Sequence, residues 1–256
     1  MSLPPPAEDP REQLADRLAA RMWRAWATAT LAIALVGVHV QVGVFRASRG
    51  AVDAGTALLG GRGARLLTRV GGMKTSRVDE GELWRLVSAV FLHTNLLHLA
   101  LNVVGLLLVG RLVEAMLGAT RMFTVFLWSG VSGAAASWLL AATPVSVGAS
   151  GGIFGLLGAA LVFVLRHGDE LPDDVRRHLR KHLLISILFN LPVGLIVPVI
   201  DQAAHVGGLV GGAVLGALLG DRVTAASRAR APATAALALG CAAALAWAAW
   251  GLRRTI

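Results

Sequence analysis

The 44 residues from Met122 to Leu165 read MFTVFLWSGVSGAAASWLLAATPVSVGASGGIFGLLGAALVFVL and contain no Asp, Glu, Lys or Arg. A helix needs about 20 apolar residues to cross the hydrocarbon of a bilayer, so this run is long enough for two spans. Pro144 and Gly148 supply the break between them. Charge is missing in the same way from 25–45, 86–110, 182–200, 202–220 and 231–252. All 24 Lys+Arg and all 15 Asp+Glu therefore lie outside these six stretches. A soluble domain of 256 residues needs charge spread over its surface, and a soluble globular fold is excluded. A hydrophobic content of 55% excludes a disordered chain. The pattern predicts an all-α polytopic membrane protein. Its seven spans fall near 25–45, 86–110, 122–142, 149–165, 183–199, 203–220 and 231–252. Pro192 and Pro198 predict an irregular fifth span.

The polar segments set the orientation. Residues 1–24 carry Pro4-Pro5-Pro6 and mixed charge, and Glu12, Asp16, Arg17 and Arg21 suggest a short amphipathic helix. Acidic residues before the first apolar run argue against a signal peptide, so a retained cytosolic tail is expected. With the N-terminus inside, cytosolic segments hold fourteen Lys+Arg and outer segments ten, which favours that orientation. Eight of the ten lie in the long first loop, 46–85. Leu58, Leu59, Leu66 and Leu67 would let this loop lie in the headgroup layer with its arginines reaching outward. Residues 166–181 are expected to form a charged loop. The net charge of +9 fits arginine-rich loops against lipid headgroups, and no nucleic-acid partner is expected. The single cysteine, Cys241, makes no internal disulfide and no cysteine-rich metal site.

Polar side chains inside spans are costly and invite a functional explanation. His39 is read as a hydrogen-bonded packing residue near the outer end of span one. Span two reads Phe91-Leu92-His93-Thr94-Asn95-Leu96-Leu97-His98-Leu99-Ala100-Leu101-Asn102. His98 and Asn102 are four apart and share a helix face, with His93 one to two turns earlier on the same helix. Three readings stand: interhelical hydrogen bonding, a metal site, or a donor cluster for an anion. The five-residue histidine spacing suits chelation poorly and no carboxylate or cysteine accompanies it, so no metal is expected.

Span four opens Gly148-Ala149-Ser150-Gly151-Gly152-Ile153-Phe154-Gly155. A serine flanked by glycines at a loop-to-helix junction is approachable, and the helix start offers free N–H groups. Those features suit a nucleophile whose product oxygen becomes negative, or simply an N-cap on a packing helix. In span six, Gly208, Gly212, Gly216 and Gly220 recur every four residues with His205 on the same face. Span four has its own small face in Gly151, Gly155 and Ala159. Two such faces, on spans taken to run antiparallel, could bring Ser150 and His205 within hydrogen-bond reach. Asp201, four residues before His205, invites a triad but is expected to face the outer loop.

Together these residues resemble the rhomboid family of intramembrane serine proteases. The resemblance rests on Trp84-Arg85, on the His93, His98 and Asn102 pattern, on Gly148-Ala149-Ser150-Gly151, and on Ala204-His205 with Gly208 and Gly212. It covers roughly 25–220 as a six-helix core, with 1–24 as a polar tail. Residues 221–256 add a linker and a seventh, C-terminal transmembrane helix. The resemblance implies Ser150 as nucleophile and His205 as base in a dyad. His98, Asn102 and the Ser150 N–H would form the oxyanion hole. Phe154 would stack on His205 where many relatives have Tyr, and this chain has no Tyr at all. Trp84-Arg85 would help anchor the first loop in the membrane interface, and Glu114 would be a structural polar residue at the cytosolic end of span two. The connection around 197–202 would cap a wet cavity. The resemblance implies transmembrane-protein substrates, no cofactor, and a setting in the lipid bilayer of a bacterial inner membrane with the N-terminus in the cytosol. A non-catalytic relative that binds transmembrane helices is the alternative. A transporter or channel would need intramembrane charge and repeated halves, which the sequence lacks.

Overall fold

A computed structural model of the chain describes residues 9–50, 52–140, 142–196, 200–219 and 231–254. Among them lie helices α1 (Pro10–Met22), α2 (Trp26–Ser48), α3 (Ala54–Leu59), α4 (Ala64–Arg69), α5 (Thr75–Asp79) and α6 (Arg85–Ser88). They continue with α7 (Leu96–Leu117), α8 (Ala119–Leu139), α9 (Ser150–His167), α10 (Asp173–Ile196), α11 (Gln202–Leu219) and α12 (Ala231–Arg253). The one β contact among the described residues is an isolated antiparallel bridge between Met73 and Ser146. Among the described residues, six helical stretches are long and apolar enough to cross a membrane: Pro10–Ser48, Leu96–Leu117, Ala119–Leu139, Ser150–Glu170, Gln202–Leu219 and Ala231–Arg253. Such a chain is an integral multi-pass membrane protein. The expected fifth span belongs to α10, whose first half is charged; residues 197–199, Pro198 among them, lie outside the described residues, as does the whole 221–230 linker.

Helix α9 sits at the centre, packed by α7, α8, α10 and α11. The side chains of Phe126, Leu156, Leu106 and Met122 are fully buried around it. The α9–α11 seam is closed by missing side chains. A Cβ on Gly208 would collide with the Gly151 carbonyl, and one on Gly212 with the Gly155 carbonyl. Gly216 packs on Ala159 one turn further along. Residue numbers rise together on both sides of this seam, so α9 and α11 run parallel, not antiparallel. Each is separated from the other by a single returning helix, α10, which enforces the same direction.

Three boundaries differ from the sequence reading. The second span begins at Leu96, because Asn95 turns extended and accepts the His98 N–H, capping α7. The apolar residues 86–91 instead form α6 and a short 3-10 turn, and His93 lies outside the helix. The region 166–181 is mostly helical: α9 runs to His167 and α10 starts at Asp173, where acidic residues occupy its first turn. Near the C-terminal end of α7, its Glu114 carboxylate accepts from the N–H groups of Ala27 and Thr28 and from the Thr28 hydroxyl at 2.7–3.1 Å. It thereby caps α2, whose own Ala25 cannot do so. Ahead of this junction, α1 lays Leu18 against the core, so the N-terminal segment is docked on the bundle.

The first loop also departs from expectation. Two of its arginines turn inward where all were expected to reach outward: Arg62 is 5% exposed and Arg85 2%, while Arg49, Arg65, Arg69 and Arg77 are exposed. Arg85 donates to the carbonyls of Thr68 and Gly72 and to Glu82. Trp84 is buried beneath α12, where Gly251 packs on its indole, so neither residue serves as an interfacial anchor. The carbonyls of short, irregular helices need donors away from water, and a guanidinium fork can satisfy several at once.

Candidate active site

Three helix starts converge at the end of the bundle that the first loop covers. Ser150 is the first residue of α9, His205 lies in the first turn of α11, and His98 lies in the first turn of α7. The Ser150 hydroxyl and His205 Nε2 are 2.9 Å apart, although the residues are 55 positions apart in the chain. The collapsed glycine seam makes that approach possible, since Gly208 abuts Gly151 one turn below the pair. The Phe154 ring stacks on the His205 imidazole with centroids 4.3 Å apart and planes inclined by 21°. Nδ1 of His205 has no hydrogen-bond partner. Asp201 does not supply one: its Oδ1 caps α11 by accepting from the Ala204 N–H at 3.0 Å.

On the other side of Ser150 is Gly148, with φ +135°, a conformation rarely open to other residues. A Cβ there would lie 2.9 Å from His98 Nε2 and 3.8 Å from Ser150 Oγ. The His98 ring and the Ser150 hydroxyl thus border the same small space over a bare backbone. Asn102 is buried and donates from Nδ2 to the His98 carbonyl at 2.8 Å. No side chain caps the start of α9, so the N–H groups of its first turn face this space without intrahelical acceptors. The four residues singled out in the sequence, Ser150, His205, His98 and Asn102, therefore surround one site, with Phe154 behind the imidazole. Gly151, Gly155, Gly208 and Gly212 form the seam beneath it. His93 stands apart. It is fully buried, both ring nitrogens lack partners among the described residues, and its ring meets His98 edge-on at 5.1 Å.

Two contributors escaped the sequence reading. Thr94 Oγ1 lies 3.1 Å from His98 Nδ1. When the hydroxyl donates there, the imidazole proton resides on Nε2, facing Ser150. Asn95 fixes the start of α7 through the His98 N–H. The signal for both was the polar Thr-Asn pair just before a long apolar run, a helix-start signature.

Such a bundle, with a serine and a histidine bonded between packed helices, belongs to the class of polytopic membrane proteins. The model of the Rhomboid domain matches residues 80–222, and the chain belongs to the rhomboid family. It is similar to the rhomboid protease GluP of Bacillus subtilis, 40% identical over 106 residues, which cover 41% of this chain and 21% of that protein. RHOMBOID-like protein 5 of Arabidopsis thaliana is 41% identical over 97 residues, 37% of this chain and 31% of the relative. RHOMBOID-like protein 6, mitochondrial, of Arabidopsis thaliana is 32% identical over 158 residues, 54% of this chain and 52% of the relative. The chain thus spans from about a fifth to about half of the length of these relatives.

Proposed function

We propose that this chain is an intramembrane serine endopeptidase that cleaves a peptide bond in or near the transmembrane helix of a protein substrate. The observation that carries this reading is the 2.9 Å contact between Ser150 Oγ and His205 Nε2 across the α9–α11 seam. Membership of a family whose relatives include a rhomboid protease adds support. Serine is a weak nucleophile until a base takes its proton. His205 Nε2 accepts that proton as Oγ attacks the scissile carbonyl. The oxygen that becomes negative is stabilised by the His98 Nε2–H, the second amide hydrogen of Asn102 and the Ser150 main-chain N–H. His205 then returns its proton to the leaving amine, and a water repeats the sequence to release the acyl group. The arrangement is a dyad, because Asp201 is engaged at the cap of α11. Phe154 takes over orientation of the imidazole by stacking. Catalysis of hydrolysis requires water at the site, which fits the outer position of three helix starts under a polar loop. By the positive-inside count, the N-terminus lies in the cytosol and the site faces the opposite side, in a bacterial inner membrane.

The test is cleavage of a single-span substrate by purified full-length chain, beside labelling of Ser150 by a fluorophosphonate. Ser150→Ala should lose both activities, a drop on the order of 10⁴-fold or more in rate, with unchanged thermal unfolding. Equal cleavage by both proteins would overturn the assignment of the nucleophile. A wild-type chain that neither cleaves nor labels would favour a helix-binding role without catalysis.

A further inference from the structure

Arg62 is a buried cation in the first loop that the dyad chemistry does not use. It lies outside the spanning helices, and burial, reinforced by nearby Arg46, pushes its pKa down to about 10. It therefore remains charged at neutral pH. Among the described residues it faces no carboxylate. Its guanidinium donates to His39 Nδ1 at 2.6 Å, to the His39 carbonyl at 2.7 Å and to the His93 carbonyl at 3.1 Å. Its main-chain N–H donates to the Thr94 carbonyl at 2.7 Å. Burying a cation without a counter-charge is costly, so its use must be sought in what it holds.

It holds His93 and Thr94, the two residues just before Asn95, the N-cap of α7. Thr94 bonds His98 Nδ1, and Asn95, the next residue, binds the His98 N–H. His39 completes the arrangement from α2. Its Nε2 donates to the Leu58 carbonyl at 3.0 Å, which leaves Nδ1 bare to accept from Arg62. A chain of direct bonds thus runs from α2 through Arg62 to the His98 ring.

We propose that Arg62, seated by His39, is a positioning residue that sets the tautomer and placement of the His98 imidazole. The inference rests on the reading of His98 as an oxyanion donor. Arg62 touches neither substrate nor Ser150. It keeps the 93–95 segment where Thr94 can donate to Nδ1, so that Nε2 carries the proton that the oxyanion needs. Lysine cannot replace it, because one ammonium cannot span the imidazole and two carbonyls in a plane.

The test uses the full chain in detergent with Arg62→Ala, Arg62→Lys and His39→Gln. Hydrogen exchange reads the clamp independently of activity. In Arg62→Ala, exchange of amides in 93–98 should rise about tenfold or more while 119–139 and 150–167 are unchanged. Cleavage kinetics read the consequence. The kcat should fall about tenfold with KM unchanged, and the loss should vanish in a His98→Ala background, since Arg62 acts through that ring. Arg62→Lys and His39→Gln, milder changes, should move both readouts the same way by less. Unchanged exchange at 93–98 overturns the clamp. So does a kcat loss that persists undiminished without His98, or a loss explained wholly by lower thermal stability. If the wild type neither cleaves nor labels at Ser150, the catalytic reading falls, and the exchange result alone decides whether Arg62 holds the segment.

Discussion

The α9–α11 seam and the first loop hold their shape by opposite means. In the seam, Gly208 and Gly212 let one helix rest on the carbonyls of Gly151 and Gly155, and the side-chain bonds from Ser150 to His205 and from Arg166 to the Ala217 carbonyl lie at its two ends. In the first loop, Arg62, Arg85 and Ser88 reach across the chain to carbonyls at His39, His93, Thr68, Gly72 and Gly71. The seam works through what its residues lack, and dispersion between backbones closes it. The loop works through what its residues can donate. A helix pair already satisfies its own N–H and C=O groups, so proximity is all that it needs. An irregular loop has carbonyls left over, and it needs donors to cover them.

This contrast can be broken, starting with the largest effect. Gly212→Leu places a branched side chain on the Gly155 carbonyl, and the helices must separate. Ser150 and His205 then lose their approach. Fluorophosphonate labelling should be abolished and the thermal midpoint in detergent should drop sharply, since overpacking a tight contact costs about 1–3 kcal/mol or more. Normal labelling would mean that the seam does not position the pair.

Arg85→Ala is the corresponding break in the loop. It takes the guanidinium from the Thr68 and Gly72 carbonyls and leaves Glu82 only its 3.7 Å ion pair with Arg77, for roughly 3–5 kcal/mol of local stability. Hydrogen exchange should rise in 64–73 while α9 and α11 keep their protection. Equal loss of protection in those helices would show that the two regions are one cooperative unit. Ser88→Ala removes the 2.6 Å bond to the Gly71 carbonyl and a longer 3.5 Å contact to the Trp84 carbonyl, and should cost about 1 kcal/mol by thermal unfolding. Gly37 gives the smallest change. It lies in α2, and among the described residues nothing stands within 4 Å of where a Cβ would sit. Gly37→Ala should leave activity intact and raise stability by up to about 1 kcal/mol through helix propensity. A loss comparable to that of Gly212→Leu would show that glycine content, and not the close approach, is what the bundle requires.

The legibility of the sequence follows the same division. Span positions could be read because transfer into lipid is nearly a sum over local composition. The glycines at intervals of four could be read because helical periodicity puts them on one face. The start of α7 was misread because 86–92 is as apolar as a span, yet it packs inside the protein as α6 and a 3-10 turn. Only the Asn95 cap distinguishes the two fates. His39 was legible as a hydrogen-bonded residue near the end of α2, but its partners, the Leu58 carbonyl and Arg62, were not.

The sequence by itself determined that this chain resides in a membrane, that it is helical, and which polar residues stand where polarity is costly. It also named the side chains around the site, since a serine among glycines and a histidine on a glycine face are visible as residue types. Only the tertiary structure decided that α9 and α11 run parallel, that Asp201 serves a helix cap, and that Arg62 and Arg85 of the first loop turn inward. The reason is physical. Hydrophobic transfer depends on what a segment is made of, whereas an arginine chooses among carbonyls that every residue presents alike, and their positions exist only once the chain has folded.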